Sequence, residues 1–554
     1  MSALLQMIDT DVASPVLEIA GLTVRLPKLG AREFGVSNVS LTVHAGTTRC
    51  LVGESGSGKS LTAQSILRLL PPHFFRPEGS IHFEGQNLLA LTPAEMRRVR
   101  GNRIGMIFQE PMTALNPLLR VGRQIDEVLR IHTDLASVER RNRVASILSE
   151  VNLAPEAVAD RYPHQLSGGQ RQRVMIAMAL VLEPRLLIAD EPTTALDVTT
   201  QAQILRLIKN LQERHGTGVL FITHDFGVVA DIADTVTVMR DARVVEEGSS
   251  AKVLGTPEHP YTKALLDAVP RGNIRAGSNV RVGRRPLALR VDQISKDYRQ
   301  SGLFMRRQQP VQALNSVSFE VAQGEILGIV GESGSGKSTA ARCVARLIEP
   351  DAGQIELGGK AFTGLRGEAL RSARRDLQFV FQDPYGSMNP RRKVGRTIGQ
   401  GLINYGMTPD AALNRARDLL TLVGLDRAAA DRYPSEFSGG QRQRISLARA
   451  LALEPKVLIA DEAVSALDVS VQAQVLTLLL EIRERLNLSI LFITHDLRVA
   501  AELCDRILVL HRGVIVEQGS CREVLLEPKH EYTKALIDAI PGRRLGEIPR
   551  KDPK

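Results

Sequence analysis

Short apolar runs bounded by polar or glycine-rich residues recur along this chain, with segments of helical period between them. "TTRCLV" and "EILGIV" read as strands that run straight into a glycine loop, and "SLTAQSILRLL" and "STAARCVARLI" read as the helices that leave it. "RLLIAD", "KVLIAD", "GVLFITH" and "SILFITH" lack the polar alternation of a half-exposed strand, which is the pattern of parallel strands buried on both faces. Alternating strands and helices of this kind predict an α/β fold with a mostly parallel core sheet. No apolar run approaches the ~18 residues of a membrane span, and the start "MSALLQMIDTDVASP" lacks the basic and apolar segments of a signal peptide. A cytoplasmic protein is therefore expected.

The same pattern occurs twice. The octapeptide "GESGSGKS" begins at Gly53 and again at Gly331, an offset of 278. "LSGGQRQR" and "FSGGQRQR", "LLIADE" and "VLIADE", and the two copies of "FITHD" are each 271 apart. "HPYTKALLDAVP" at 259 is echoed by "HEYTKALIDAIP" at 530. A repeat this long is a tandem duplication of whole domains. The expected division is a first domain over 1–270, a basic linker over 271–286 and a second domain over 287–554; six arginines and no acid lie between 271 and 290.

Composition changes this picture little. The 554 residues are 43% hydrophobic and 24% charged, the balance of a soluble globular protein long enough for several cores. Four cysteines, Cys50, Cys343, Cys504 and Cys521, have no metal-ligand spacing and read as reduced structural thiols. The net charge of +10 fits either a nucleic-acid binder or a protein beside anionic lipid, and by itself selects neither.

The chemistry begins at the repeated loop, which meets the GxxxxGK[ST] pattern of a phosphate cradle twice. Its glycines let backbone N–H groups curl around triphosphate oxygens at a helix N-terminus. The candidate triphosphate-binding residues here are Gly53, Ser55, Gly56, Gly58, Lys59, Ser60 and Leu61, and in the repeat Gly331, Ser333, Gly334, Gly336, Lys337, Ser338 and Thr339. Lys59 and Lys337 suit the β- and γ-phosphates, and Ser60 and Ser338 suit Mg²⁺. Downstream, "LLIADE" and "VLIADE" place two carboxylates at a strand end, where ligands of open α/β sheets bind. Asp190 and Asp461 fit the metal shell, while Glu191 and Glu462 fit the general base acting on the attacking water. Alone, such a pair is more often a solvated turn; a phosphate loop upstream reverses that reading.

Between these elements stand Ser167, Gly168, Gly169 and Gln170 in one half and Ser438, Gly439, Gly440 and Gln441 in the other, each opening a helix whose dipole favours phosphate. With this LSGGQ signature the chain resembles the ABC ATPase superfamily over nearly its whole length. The resemblance implies two tandem P-loop NTPase domains, each with an antiparallel β subdomain and a helical signature subdomain beside the core sheet. It further implies that Gln109 and Gln382 are Q-loop glutamines at Mg²⁺ and the attacking water. His224 and His495 become switch histidines, so that the catalytic set is Glu191, His224, Glu462 and His495. The metal set is Ser60, Gln109 and Asp190 with Ser338, Gln382 and Asp461. Asp197 and Asp468 match D-loop positions. Tyr298 matches the adenine-stacking aromatic, whose place in the first half falls near Val24, with Phe34 as a weak substitute. In the family each nucleotide is shared between the phosphate loop of one domain and the signature turn of the other.

The tails at 257–270 and 528–541 resemble ATP-binding subunits of bacterial oligopeptide and dipeptide importers. That likeness implies ATP hydrolysis coupled to import through two membrane permease subunits fed by an extracytoplasmic binding protein, at the cytoplasmic face of the inner membrane. Permease contacts are expected at Met112, Asn116, Met388 and Asn389. No cysteine follows either tail motif in the place where some group members carry an iron–sulfur cluster, so none is predicted. The alternative is a soluble tandem ABC ATPase acting on ribosomes or damaged DNA. Against it stand the short linker, the lack of zinc-finger cysteines and an aromatic content of 4%, so no nucleic-acid partner is expected. The cargo is open: dipeptides, longer peptides, glutathione, peptide-like antibiotics and nickel chelates all fit.

Overall fold

A computed structural model describes residues 14–27, 32–71, 74–110, 114–193, 196–274, 285–298, 311–383, 386–465 and 467–542. The chain divides into two compact units, the first running to Leu196 and from Thr200 to Asp267, the second from Ala268 onward.

In the first unit the strands are β1 (Leu17–Arg25), β2 (Phe34–Val43), β3 (Thr48–Val52), β4 (Glu78–Phe83), β5 (Gln86–Asn87), β6 (Ile104–Ile107), β7 (Leu186–Asp190), β8 (Gly218–Thr223), β9 (Thr235–Arg240) and β10 (Arg243–Ser249). They form a four-stranded sheet in the order β2-β1-β4-β5 and a six-stranded sheet in the order β10-β9-β3-β8-β7-β6. The first is antiparallel. In the second, β9, β3, β8, β7 and β6 run parallel and only β10 is antiparallel. Every residue of β3, β7 and β8 is buried, which explains why their sequences lack the polar alternation of a half-exposed strand. Leu17, Ile19, Ile81 and Phe83 of the antiparallel sheet share one core with Leu51, Ile188, Leu220 and Ile222 of the parallel sheet.

The second unit repeats this plan with β11 (Leu287–Tyr298), β12 (Val311–Ala322), β13 (Ile326–Val330), β14 (Ala352–Leu357), β15 (Lys360–Ala361), β16 (Leu377–Val380), β17 (Val457–Asp461), β18 (Ser489–Ile493), β19 (Arg506–His511) and β20 (Val514–Ser520). The sheet orders are β12-β11-β14-β15 and β16-β17-β18-β13-β19-β20.

A helical lobe lies between β6 and β7. Val121, Ile125 and Leu129 form the buried stripe of the helix Val121–His132, and Val144, Ile147 and Leu148 that of Ser137–Glu150. Both pack with the helix Gly168–Leu180. Val394–Asn404, Pro409–Leu422 and Gly439–Leu451 are the counterparts in the second unit.

Each unit therefore has the expected mostly parallel core sheet, antiparallel β subdomain and helical subdomain. Among the described residues no helix is long and apolar enough to cross a membrane. All four cysteines are buried and free.

Candidate functional site

Sheet order brings the motifs together. In the first unit the adjacent strands β3, β8, β7 and β6 lead, at their carboxyl ends, into the Gly53 loop, His224, Asp190–Glu191 and Gln109. In the second, β13, β18, β17 and β16 lead into the Gly331 loop, His495, Asp461–Glu462 and Gln382. Parallel strands put all four ends on one edge of the sheet.

The loop itself needs glycine at two places. Gly53 and Gly58 have φ of 149° and 106°, and Gly331 and Gly336 have 148° and 108°. A Cβ on Gly53 would lie 2.2 Å from the Met239 carbonyl oxygen, and one on Gly58 would lie 2.4 Å from that of Gly35. Gly58 and Gly336 are the N-caps of the helices Lys59–Ile66 and Lys337–Val344, so the loop curls back onto a helix N-terminus. Lys59 Nζ donates to the Gly53 and Glu54 carbonyls at 2.7 and 2.9 Å and to Ser57 Oγ at 3.4 Å. Lys337 Nζ donates to the Gly331 and Glu332 carbonyls at 2.8 and 2.7 Å, and burial pushes its pKa down.

The acidic strand ends meet this loop directly. Ser60 Oγ donates to Asp190 at 2.9 Å and Ser338 Oγ donates to Asp461 at 3.0 Å. Burial raises the pKa of Asp190 to about 6, against the Ser60 hydrogen bond, and the same cause raises that of Asp461. Glu191 and Glu462 follow in the left-handed region, each at φ 46°. Their amides donate to the Ile222 and Ile493 carbonyls, both at 3.0 Å. A non-glycine residue held there costs about 1–2 kcal/mol, and the turn re-aims its side chain away from the strand direction.

Gln109 Nε2 donates to Glu191 Oε2 at 2.9 Å, and Gln382 Nε2 donates to Glu462 Oε2 at 2.7 Å. His224 Nδ1 lies 3.3 Å from Glu191 Oε1, and His495 Nδ1 lies 3.4 Å from Glu462 Oε1. Burial acts to raise the pKa of Glu462, but the His495 hydrogen bond and charge outweigh it and leave this carboxyl below its ordinary value. His495 is shifted the other way: burial lowers its pKa, and the Glu462 contact more than restores it. The aspartates after these histidines cap the next helices, Asp225 accepting from Gly227 N and Asp496 from Arg498 N, both at 2.8 Å.

The SGGQ segments are capping boxes. Ser167 Oγ accepts from Gln170 N at 3.3 Å while Gln170 Oε1 accepts from Ser167 N at 3.1 Å. Ser438 and Gln441 do the same at 3.3 and 3.0 Å. A Cβ on Gly440 would lie 2.1 Å from Val471 Cγ1, whereas one on Gly169 would lie 3.2 Å from Thr200 Cγ2. Asp197 and Asp468 directly precede the helices Val198–His215 and Val469–Leu486.

Tyr298 is 40% exposed at the end of β11. Strand pairing moves its counterpart in the first unit. Leu22 pairs with Val39 as Ile294 pairs with Val317, and counting on from those positions sets Tyr298 against Leu26 rather than Val24, which is buried. Leu26 is aliphatic and half-buried. The Phe34 ring already has the Arg25 guanidinium over it, 5.4 Å from its centroid.

Asn116 and Asn389 are exposed, each capping its own loop by accepting from Leu118 N at 3.0 Å and Arg391 N at 2.9 Å. Met388 is buried among apolar side chains, so its role is packing and not surface contact as expected. Met112 lies outside the described residues. Two tyrosines that motif spacing did not single out also reach the phosphate loops: Glu54 N donates to Tyr261 Oη at 3.3 Å, and Glu332 N donates to Tyr532 Oη at 3.0 Å.

The donor set suits a nucleoside triphosphate. A buried lysine, curled backbone amides and a helix N-terminus face one space, and the buried Ser335 Oγ has no hydrogen-bond partner among the described residues.

Comparison with known proteins agrees. The ABC transporter family profile matches residues 36–194 and 314–465. The profile of the oligopeptide/dipeptide transporter C-terminal region matches 245–299 and 516–551. The chain is 47% identical to the glutathione import ATP-binding protein GsiA of Salmonella paratyphi A over 95% of its own length and 89% of that protein's. It is 46% identical to the peptidoglycan transport ATP-binding protein YejF of Agrobacterium fabrum over 95% and 96%. With GsiA of Escherichia coli O6:H1 the identity is 45% over 96% and 90%.

Proposed function

Because this chain belongs to the ABC transporter family and its two units are ATP-hydrolysing cassettes, we propose that it powers import of glutathione, short peptides or peptide-like molecules. The observation that carries this reading is the peptide-transporter C-terminal region, which follows each cassette and not only one. The work requires two separate membrane permease subunits and an extracytoplasmic binding protein, with this chain peripheral at the cytoplasmic face of the inner membrane. The domain division at 270, with a linker to 286, is part of the same reading.

In each unit the phosphate loop and its lysine hold the β- and γ-phosphates. Mg²⁺ would be held by Ser60, Asp190 and Gln109, and by Ser338, Asp461 and Gln382, where it would neutralise charge on the transferring phosphoryl group. Glu191 and Glu462 orient the attacking water and accept its proton at the carboxylate. His224 and His495 hydrogen-bond the γ-phosphate side. Tyr298 stacks on adenine in the second unit, and Leu26 offers only an aliphatic surface in the first.

The loops after Gln109 and Gln382 are the permease-facing elements of this proposal. A cleft of 510 Å³ in the second unit, lined by Phe379, Phe381, Asn389, Arg392 and Gln400 among others, supports it. So does Leu118, 82% exposed in the corresponding loop of the first unit. The family match leaves the ribosome and DNA alternative supported only by net charge.

The test is co-purification and transport. The protein is expressed with its genomically adjacent membrane proteins, purified in detergent and reconstituted together with the adjacent extracytoplasmic binding protein. ATP-dependent uptake of glutathione or a dipeptide supports the proposal. Permeases that fail to co-purify, or that bind equally well after residues 110–125 and 383–398 are exchanged for unrelated sequence, refute it.

A further inference from the structure

The tail motif of each unit is built to deliver one hydroxyl to one peptide group. A β-bulge immediately precedes Glu246 in β10 and Glu517 in β20, and re-aims both side chains. Glu246 then accepts from the amides of Glu258 and His259 at 2.7 and 3.1 Å, and Glu517 accepts from those of Lys529 and His530 at 2.8 and 3.1 Å. These are the turns into the helices Pro260–Ala268 and Glu531–Asp538. Next, the ring of His259 accepts at Nδ1 from Tyr261 N, and that of His530 from Tyr532 N, both at 3.1 Å. The tyrosine backbone is thereby fixed in both units.

The tyrosine side chain meets the Gly53–Glu54 peptide from the side opposite the lysine. Lys59 Nζ holds the carbonyl of that peptide at 2.7 Å while Tyr261 Oη accepts from its amide at 3.3 Å. Lys337 and Tyr532 hold the Gly331–Glu332 peptide in the same way, at 2.8 and 3.0 Å. Ring environments differ: the Arg240 guanidinium lies over Tyr261 at 4.8 Å, whereas Tyr532 stacks on His511 with centroids 3.9 Å apart. Different ring packing with a shared hydroxyl target, the loop amide, makes the hydroxyl and not the ring the common element; Tyr261 Oη also donates to the Glu54 carboxylate at 3.2 Å.

We propose that Tyr261 and Tyr532 are positioning residues for ATP binding, each fixing the peptide plane whose carbonyl holds the phosphate-loop lysine. The tail of each unit thus preorganises that unit's own nucleotide cradle. Each hydroxyl meets the backbone of the loop and not the Asp–Glu pair at the strand end, where the chemical step is proposed. Losing the hydroxyl therefore loosens ground-state binding and spares the chemical step.

The test compares full-length protein with Tyr261→Phe, Tyr532→Phe, the double variant, and Lys263→Ala, an exposed change on the same tail helix. Phosphate release is followed against MgATP concentration, with thermal melts alongside. The double variant is expected to raise KM about 5- to 10-fold, the factor that one hydrogen bond to a partly buried amide commands. Its kcat stays within about two-fold and Lys263→Ala moves neither constant. The single variants show smaller rises and serve if the double variant does not fold. An unchanged KM overturns the proposal. So does a loss of kcat that tracks lowered melting temperature at constant KM, or an equal rise in KM in Lys263→Ala.

Discussion

Gln109 donates its side-chain amide to Glu191 at 2.9 Å, while His224 approaches the other carboxylate oxygen of the same residue at 3.3 Å. The second unit repeats this with Gln382, Glu462 and His495. Each oxygen of these glutamates thus has one neighbour already, and the glutamine contact restrains how the carboxylate turns toward an attacking water while leaving acceptor sites on both oxygens. The glutamine lies at the start of the loop proposed to face the permease, which makes it the natural place for a partner to release the base.

Replacing either Glu191 or Glu462 by Gln removes the proton acceptor and keeps the hydrogen-bonding shape. Each single variant should lose at least half of the turnover, and the double variant should fall by about 10²–10⁴-fold. Phosphate release under saturating MgATP measures this. Full activity in either single variant refutes two hydrolysing sites.

Asp190 provides a stability test with a definite sign. Burial lifts its pKa from 3.8 to about 6, so the folded state binds a proton that the unfolded state has released. Its contribution is therefore most favourable at low pH and is lost as pH rises through about 6, a penalty of up to about 3 kcal/mol at neutral pH. Asp190→Asn stays uncharged. Nucleotide-free protein with this change should gain ~1–3 kcal/mol at pH 7.5 in denaturant unfolding, and the gain should shrink towards pH 5. MgATP binding at that unit should be lost.

Glu462 and His495 are shifted in opposite directions from each other. The histidine is raised, so its contribution is full below about 6.5 and disappears as pH climbs through its folded value. The glutamate is lowered, so its share is full above about 4.5 and disappears as pH falls through its folded value. The pair is strongest between those limits. His495→Gln should cost on the order of 1–2 kcal/mol at pH 6 and clearly less at pH 8.5. Equal costs at both pH values contradict the pairing.

The signature glycines should respond unequally to the same change. Gly440→Ala drives a methyl to 2.1 Å from the short, stiff Val471 side chain and should cost about 1–3 kcal/mol. Gly169→Ala meets Thr200 at 3.2 Å, and the improved helix propensity offsets that crowding, so its effect should stay within about 1 kcal/mol. Thermal melts of the two variants separate the cases.

Local motifs carried most of the site. The phosphate loop, acidic strand end, histidine and glutamine each sit in a contiguous stretch, and parallel strands bring such ends together by topology alone. Pairwise geometry across long sequence distance was not legible. Nothing in the string "HPYTKAL" shows that its tyrosine meets Glu54 some two hundred positions earlier, because that contact depends on a bulge in β10. The sequence places the counterpart of Tyr298 near Val24; strand pairing sets it at Leu26, a register that the unequal spacings of the surrounding motifs do not reveal. Met388 is expected at the surface because its loop resembles the permease-facing loop of the importers, yet its side chain turns into the core.

The left-handed backbone at Glu191 and Glu462 also limits how such a site can decay. Residues that accept this conformation readily are Gly, Asn and Asp, while Val, Ile and Thr resist it. Mutational drift that abolishes hydrolysis in one half is thus channelled. A descendant that kept its fold while losing that base would be found with Gly or Asn in the glutamate's place far more readily than with a β-branched residue.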